Sequence, residues 1–136
     1  MRGVANAIDN KTTKYLNFDS GRDGAVNGFS PSGFVVIPAI GATHVTGMTI
    51  QAANDAPERD PKTVTLEGSN DDNITGYNTG NWESIATLDF PAFANRFDTH
   101  TLTFANNKAY KAYRWTVTQT ASANTCCMQV AEVELL

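Results

Sequence analysis

Thr63-Val64-Thr65-Leu66-Glu67-Gly68-Ser69-Asn70-Asp71 is the stretch that decides the fold class. Its first five residues alternate, with Val64 and Leu66 on one face and threonine or glutamate on the other. Alternation of this kind puts one side of an extended chain into a core and leaves the other in water. The Ser-Asn-Asp cluster that follows is turn chemistry, because short polar side chains bond their own backbone. Outward from here the same pattern returns. Tyr113-Arg114-Trp115-Thr116-Val117-Thr118 turns Tyr113, Trp115 and Val117 inward, and Thr101-Leu102-Thr103-Phe104 alternates as well. Residues 46–52 place Met48, Ile50 and Ala52 on one face. Gly33-Phe34-Val35-Val36-Ile37 is continuously apolar and is expected to be a strand buried on both sides. Segments 82–90 and 128–136 complete a set of seven or more short strands. No stretch holds a helical 3.6-residue period over three turns. The spacing predicts an all-β fold, a β-sandwich of two antiparallel sheets or a jelly roll, in a single domain over residues 1–136.

Composition narrows the partners. The 136 residues suffice for one core, and 17 Thr with 13 Asn favour strands joined by polar turns. The net charge of −4 leaves no basic stripe to neutralise phosphates, so nucleic acid is not an expected partner. No apolar run approaches the roughly 20 residues of a transmembrane segment. The opening Met1-Arg2-Gly3-Val4-Ala5-Asn6 lacks the apolar stretch of a signal peptide. The chain is therefore expected to be a mature form or a module of a longer protein.

Three features of the chain bear on chemistry. In the last strand Met128 and Val130 share one parity, and Val133 and Leu135 the other. A β-bulge at Ala131-Glu132 is expected, which would turn a backbone carbonyl and the Glu132 carboxylate to one side, a device for holding a cation. Asn54-Asp55-Ala56-Pro57-Glu58-Arg59-Asp60-Pro61 packs three acids, an Asn and an Arg into seven residues of a segment stiffened by two prolines. Sugars are held by planar polar side chains that each take two hydroxyls, above an apolar face. Arg59 has two readings: a sugar contact, or a tie to Asp55 or Asp60 that holds the loop. The glycine-rich loop at 19–30 offers Arg22, Asp23 and Asn27 as hydroxyl partners, and Phe29 as a stacking platform or, preferred, a core anchor.

Other side chains read more plainly. Trp82 and Trp115 are expected in the core. Exposure of Phe93 and Phe97 would favour binding to a surface, and their burial would favour a sugar. Cys126-Cys127 is either a vicinal disulfide or, preferred, one buried and one exposed thiol. His44 and His100 have no nucleophile and acid in triad order, so an enzyme is not expected.

Several segments resemble one family. Ala7-Ile8-Asp9-Asn10-Lys11-Thr12-Thr13-Lys14-Tyr15 is similar to the opening of discoidin-like domains, which include coagulation-factor C-type domains and galactose-binding carbohydrate-binding modules of the family 32 kind. Thr65-Leu66-Glu67-Gly68-Ser69-Asn70-Asp71 followed by Trp82 resembles their "L-x-G-S-N-D-G … W" hairpin. Tyr110-Lys111-Ala112-Tyr113-Arg114-Trp115 and Gln129-Val130-Ala131-Glu132-Val133-Glu134-Leu135 resemble their last two long strands. Asn10 stands where the family has Gly, and Tyr15 where it has Trp.

The resemblance implies a galactose-binding-domain-like sandwich with a structural calcium. Carried over, Asp9 and Glu132 would ligate through side chains, Thr13 through hydroxyl and carbonyl, and Asn6, Lys11 and Ala131 through carbonyls. Without the family pattern, Asp9 is an Asx-turn residue and Glu132 a solvated one. The family's sugar-contacting Arg before the "L-x-G-S-N-D" strand falls at Arg59. The implied carbohydrate site is Arg59, Asp55, Glu58, Asn54 and Asp60, helped by Arg22, Asp23, Phe29 and Asn124. The implied function is a secreted, non-catalytic, monomeric carbohydrate-binding module, carried by a protein with a catalytic domain that acts on polysaccharide. The alternative is an adhesion module of the same fold that recognises protein or lipid headgroups.

Overall fold

The computed structural model describes residues 8, 15–17, 31–122, 125 and 127–136. The strands are β1 (Tyr15–Asn17), β2 (Ser32–Val36), β3 (Gly47–Gln51), β4 (Pro61–Ser69), β5 (Glu83–Asp89), β6 (Thr99–Thr103), β7 (Ala112–Thr120), β8 (Met128–Val130) and β9 (Glu132–Leu135), with a 3-10 turn at Pro57–Arg59. They form a four-stranded sheet in the order β2-β7-β4-β5, a three-stranded sheet β6-β3-β9 and a small β1-β8 ribbon. The pairings among the described residues are antiparallel.

The alternating residues build the core as their pattern predicts. Met48, Ile50, Ala52, Val64, Leu66, Tyr113, Trp115 and Val117 are all completely buried. Each large side chain among them contributes about 1.5–3 kcal/mol by leaving water. Trp115 spans the gap between the sheets, its Nε1 donating to the Met48 sulfur at 3.1 Å. Phe34 stacks on it at 4.9 Å between ring centroids, and Tyr15 meets Phe34 edge-on at 5.7 Å.

Two expectations about apolar residues are corrected. The run at 33–37 is not buried on both sides. Phe34 is buried, Val35 and Val36 are half-buried, and Ile37 is 59% exposed. The run forms β2, an edge strand with one neighbour, so only its inward residues are covered. Trp82 is not in the core either. It is half-buried and lies against the Arg114 guanidinium at 4.8 Å, with Tyr77 also on that cation at 5.2 Å. Arg114 is outward on β7 and forms a two-pronged pair with Glu67, at 2.8 and 2.9 Å, which raises its pKa above the ordinary arginine value. Tyr77 adds a hydroxyl bond to Thr116 at 2.5 Å. The loop between β4 and β5 thereby folds back over the outer face of the larger sheet.

The parity switch at Ala131 is a change of partner. β8 pairs with β1, and β9 pairs with β3, so the chain steps from the ribbon to the three-stranded sheet at that residue. Buried Cys127 is disulfide-bonded, which corrects the preferred reading of free thiols. The sequence holds one other cysteine, Cys126, and it lies outside the described residues.

Candidate functional site

The acid-rich loop leaves β3 through Ala52 and Ala53, both fully buried, and reaches β4 through the 3-10 turn. Ala56 enters that turn in the left-handed region, at φ 49°, and Pro57 stands at its start. Proline suits this place because its φ is already helical and its missing N–H would have no partner there. Turn bonds from Arg59 N to Ala56 O (2.9 Å) and from Asp60 N to Pro57 O (3.1 Å) close the loop. Two more backbone bonds join it to the end of β7: Ala121 N donates to Asp60 O at 2.9 Å, and Ser122 N to Glu58 O at 3.1 Å.

One side chain governs this loop from beneath. Arg96 sets Nη2 on Asp60 Oδ2 at 2.6 Å and Nη1 on Oδ1 at 2.9 Å, and Nη1 also reaches the carbonyls of Ala53 and Asp55 at 3.3 Å. Hydrogen bonding to Asp60 raises the arginine pKa, so the guanidinium stays charged. Gln129, completely buried on β8, adds a second hold. Its Nε2 donates to the Asp55 carbonyl at 2.5 Å and to Asp55 Oδ1 at 3.1 Å. Those two acceptors fix which way the amide points, and Gln129 Oε1 is buried with no donor among the described residues.

The expected sugar residues separate into two groups. Asn54, Asp55 and Glu58 are exposed at the loop surface, and Arg59 is half-buried. Asp60 is 4% exposed with both oxygens on Arg96, so it anchors the loop and does not face solvent. Among the described residues Arg59 makes no ion pair, and the tie to Asp60 considered for it is made by Arg96. Arg22, Asp23, Phe29 and Asn124 lie outside the described residues, as do Asn6, Asp9, Lys11 and Thr13 of the expected metal site. Of that metal site, Ala131 and Glu132 are described, at the step between β8 and β9. Ala131 is buried with its N–H on Gln51 O at 2.9 Å, and Glu132 is half-buried. A carboxylate and a backbone carbonyl are hard oxygen donors of the kind calcium takes. No group of three or more His, Cys, Asp or Glu gathers among the described residues. Of the aromatics meant to separate the two functions, Phe93 is 7% exposed and Phe97 is 38% exposed.

Arg96 and Gln129 were not singled out from the sequence. The stretch 90–97 drew notice only for its phenylalanines, and Gln129 reads as an ordinary strand residue. The available signal was the excess of acids over bases in the 54–60 segment, which calls for a cation from elsewhere in the chain.

With this geometry in view, the solved structures are informative. Eighty-one chains match. A family 32 carbohydrate-binding module from Clostridium perfringens, in complex with GalNAc-β-1,3-galactose, superposes with TM-score 0.70 at 17% identity, over 96% of this chain and 81% of that one. An F5/8 type C domain from Bacteroides fragilis gives TM-score 0.71 at 14% identity, covering 98% and 80%. The chain has the discoidin-like fold. A further structural neighbour is chitosan-binding module 1 of a chitosanase/glucanase from Paenibacillus sp. IK-5, with TM-score 0.65 at 17% identity, covering 99% and 85%. No protein-family model and no curated protein sequence matches. Among the described residues no helix is long and apolar enough to cross a membrane.

Proposed function

We propose that this discoidin-like domain is a non-catalytic carbohydrate-binding module, with its site on the 54–60 loop. The observation that carries the reading is the separation of roles within that loop. Arg96 and Gln129 fix it from below, and Asp55, Glu58 and Arg59, which makes no ion pair among the described residues, stand above, where a rigid sandwich presents function. Two carboxylates and a guanidinium suit neighbouring hydroxyls, and several structural neighbours are carbohydrate-binding modules. Water competes for the same hydroxyls, so the affinity is weak, on the order of 10 μM to 1 mM or about 4–7 kcal/mol. A glycan array names the sugar. Arg59→Ala then abolishes binding to the best array glycan and leaves the melting curve unchanged. An R59A protein that binds as the parent does moves the site elsewhere.

The same proposal includes a structural calcium held by Asn6, Asp9, Lys11, Thr13, Ala131 and Glu132, and secretion as part of a larger polysaccharide-active protein. The ion would join the N-terminal segment to the step between β8 and β9. Binding to the native state alone stabilises by mass action. Excess chelator therefore lowers the melting temperature, and an unchanged curve removes calcium from the reading.

A second reading, as an adhesion module, is supported by the 38% exposure of Phe97, although Phe93 is buried, and by a second apolar feature. Ile37 and Ile40 are 59% and 88% exposed on the segment that follows β2, away from the acid-rich loop. Vesicle binding that I40A removes, in a protein that binds no array glycan, would favour it.

A further inference from the structure

We propose that the outer edge of β9, with the cavity beside it, is a docking site for an extended basic peptide that joins the smaller sheet as a further strand. This goes beyond the carbohydrate reading and does not rest on it, because the site is built on the last strand and not on the 54–60 loop. Among the described residues β9 has one neighbour, β3. Leu136 N donates to Gly47 O at 2.9 Å, and Gly47 N to Leu136 O at 3.2 Å. In an antiparallel pair that orientation returns at every second residue. The register runs on through Leu135 opposite Met48, Glu134 opposite Thr49 and Val133 opposite Ile50. Glu134 therefore turns its N–H and C=O to β3 as Leu136 does, and Val133 and Leu135 turn theirs to the open side. An edge of this kind is a template for another extended chain.

The cavity adds selectivity to the edge. It holds about 440 Å³, in the range of pockets that take ligands, and Val36, Pro38, Val45, Tyr113, Val133 and Leu135 line it. Val36 ends β2, an edge of the larger sheet, so the cavity is a seam between edges of the two sheets. Ile8 and Leu136, 51% and 47% exposed, add apolar surface to its wall. Side chains alternate along a strand, so an added chain can send every second residue into this seam and turn the residues between them to the outer face.

Charge decides the occupant. β9 carries Glu132, half-buried, and Glu134, exposed, and among the described residues no Lys or Arg lines the cavity. The one imidazole there, His44, has Nε2 against the Asn106 carbonyl. Glu132 stands in the proposed calcium set, which leaves Glu134 to meet a partner. Opposite charges facing one another across a strand pair stabilise it, and like charges destabilise it. A second copy adding edge to edge would set β9 carboxylates on β9 carboxylates, so the edge is guarded against its own kind. A strand that alternates Lys or Arg with apolar residues meets both demands, with cations beside Glu134 and apolar side chains in the seam.

The test titrates the full chain with the peptide Ac-Lys-Val-Lys-Phe-Lys-NH2, with its Glu-Val-Glu-Phe-Glu counterpart, and with the basic peptide N-methylated at Val and Phe. The parent binds the basic peptide, binds the acidic one about fivefold more weakly or worse, and loses the N-methylated one, which cannot donate to the edge carbonyls. Glu134→Lys reverses the order of the two charged peptides and melts as the parent does, and Glu134→Gln narrows the gap between them. If the parent does not bind the basic peptide at about 1 mM, or binds the N-methylated form equally well, strand addition is overturned. A preference for the basic peptide that survives E134K overturns the assignment to this edge. A dimer of the parent that excludes the peptide would give the edge to a second copy, and vesicle binding that the peptide blocks would give it to lipid; either result overturns the proposal.

Discussion

The two ends of the sandwich use the same chemistry to different effect. At the end bearing the acid-rich loop, Arg96 meets Asp60 at 2.6 Å with side chains 22% and 5% exposed. At the other end, Lys111 meets Asp72 at the same 2.6 Å, but those side chains are 50% and 80% exposed. Distance does not separate them; burial does. Water screens the exposed pair and competes for its partners, so it contributes little. The buried pair strongly penalises any arrangement that leaves one charge alone. The exposed end is fixed instead by packing. Tyr110 lies flat over Gly68, where any side chain would strike its ring, and donates its hydroxyl to Glu83 at 2.7 Å. A loop as polar as 54–60 has little apolar surface to hold it, and a buried ion pair takes that part.

The largest expected effect breaks the comparison at its buried pole. Arg96→Ala leaves the Asp60 carboxylate uncompensated and costs about 3–5 kcal/mol by chemical denaturation. Adding Asp60→Asn to that variant removes the stranded charge and recovers part of the loss. An R96A cost no greater than that of K111A would mean that burial is not what distinguishes the ends.

An intermediate effect sharpens the packed pole. Burial, and then the bond to Glu83, push the Tyr110 hydroxyl up to about 12 from its ordinary value of 10.0. A raised folded pKa gives stability that is complete below pH 10 and is lost as pH climbs through 12. The parent should lose about 2–3 kcal/mol more than Tyr110→Phe across that window. Parallel curves for the two proteins would place the hydroxyl in water. Glu83 has the opposite sign. The bonds from Tyr110 and Lys108 hold it below the usual carboxylate range, so its share is present near neutrality and fades in acid.

The smallest effect belongs to the exposed pole. Lys111→Ala should leave the melting temperature unchanged within error, in low salt and in high. A clear loss there would show that an exposed pair organises its end as the buried one does.

Much of the fold was legible because alternation reports directly on which way a side chain faces. Val64, Leu66, Met48, Ile50, Trp115 and Val117 all turn to the core that their spacing predicts. The pattern is silent on neighbours. Nothing in Gly33-Phe34-Val35-Val36-Ile37 says that β2 is an edge, so the outward exposure of Ile37 was missed. Trp82 was assigned to the core by its apolarity, although an outward Arg114 gives the indole an equally good partner outside. The candidate site was legible at its tip and not in its support. The 54–60 segment announces itself by composition, but Arg96 and Gln129 lie 36 and 74 residues from the groups they hold, and only the order of strands brings them there.

The step at Ala131 also sets a schedule. β3 is flanked by β6 and β9, and β9 pairs residues 132–135 with residues 48–51. As the chain leaves the ribosome, β3 keeps one edge open until the final strand emerges, and Asp55 waits as long for Gln129. The loop proposed to meet the ligand therefore gains its last hold late, although its residues are made in the first half. A chain interrupted before β8 leaves that edge of β3 open and lacks the Gln129 hold on Asp55, so the incomplete product is open to proteolysis.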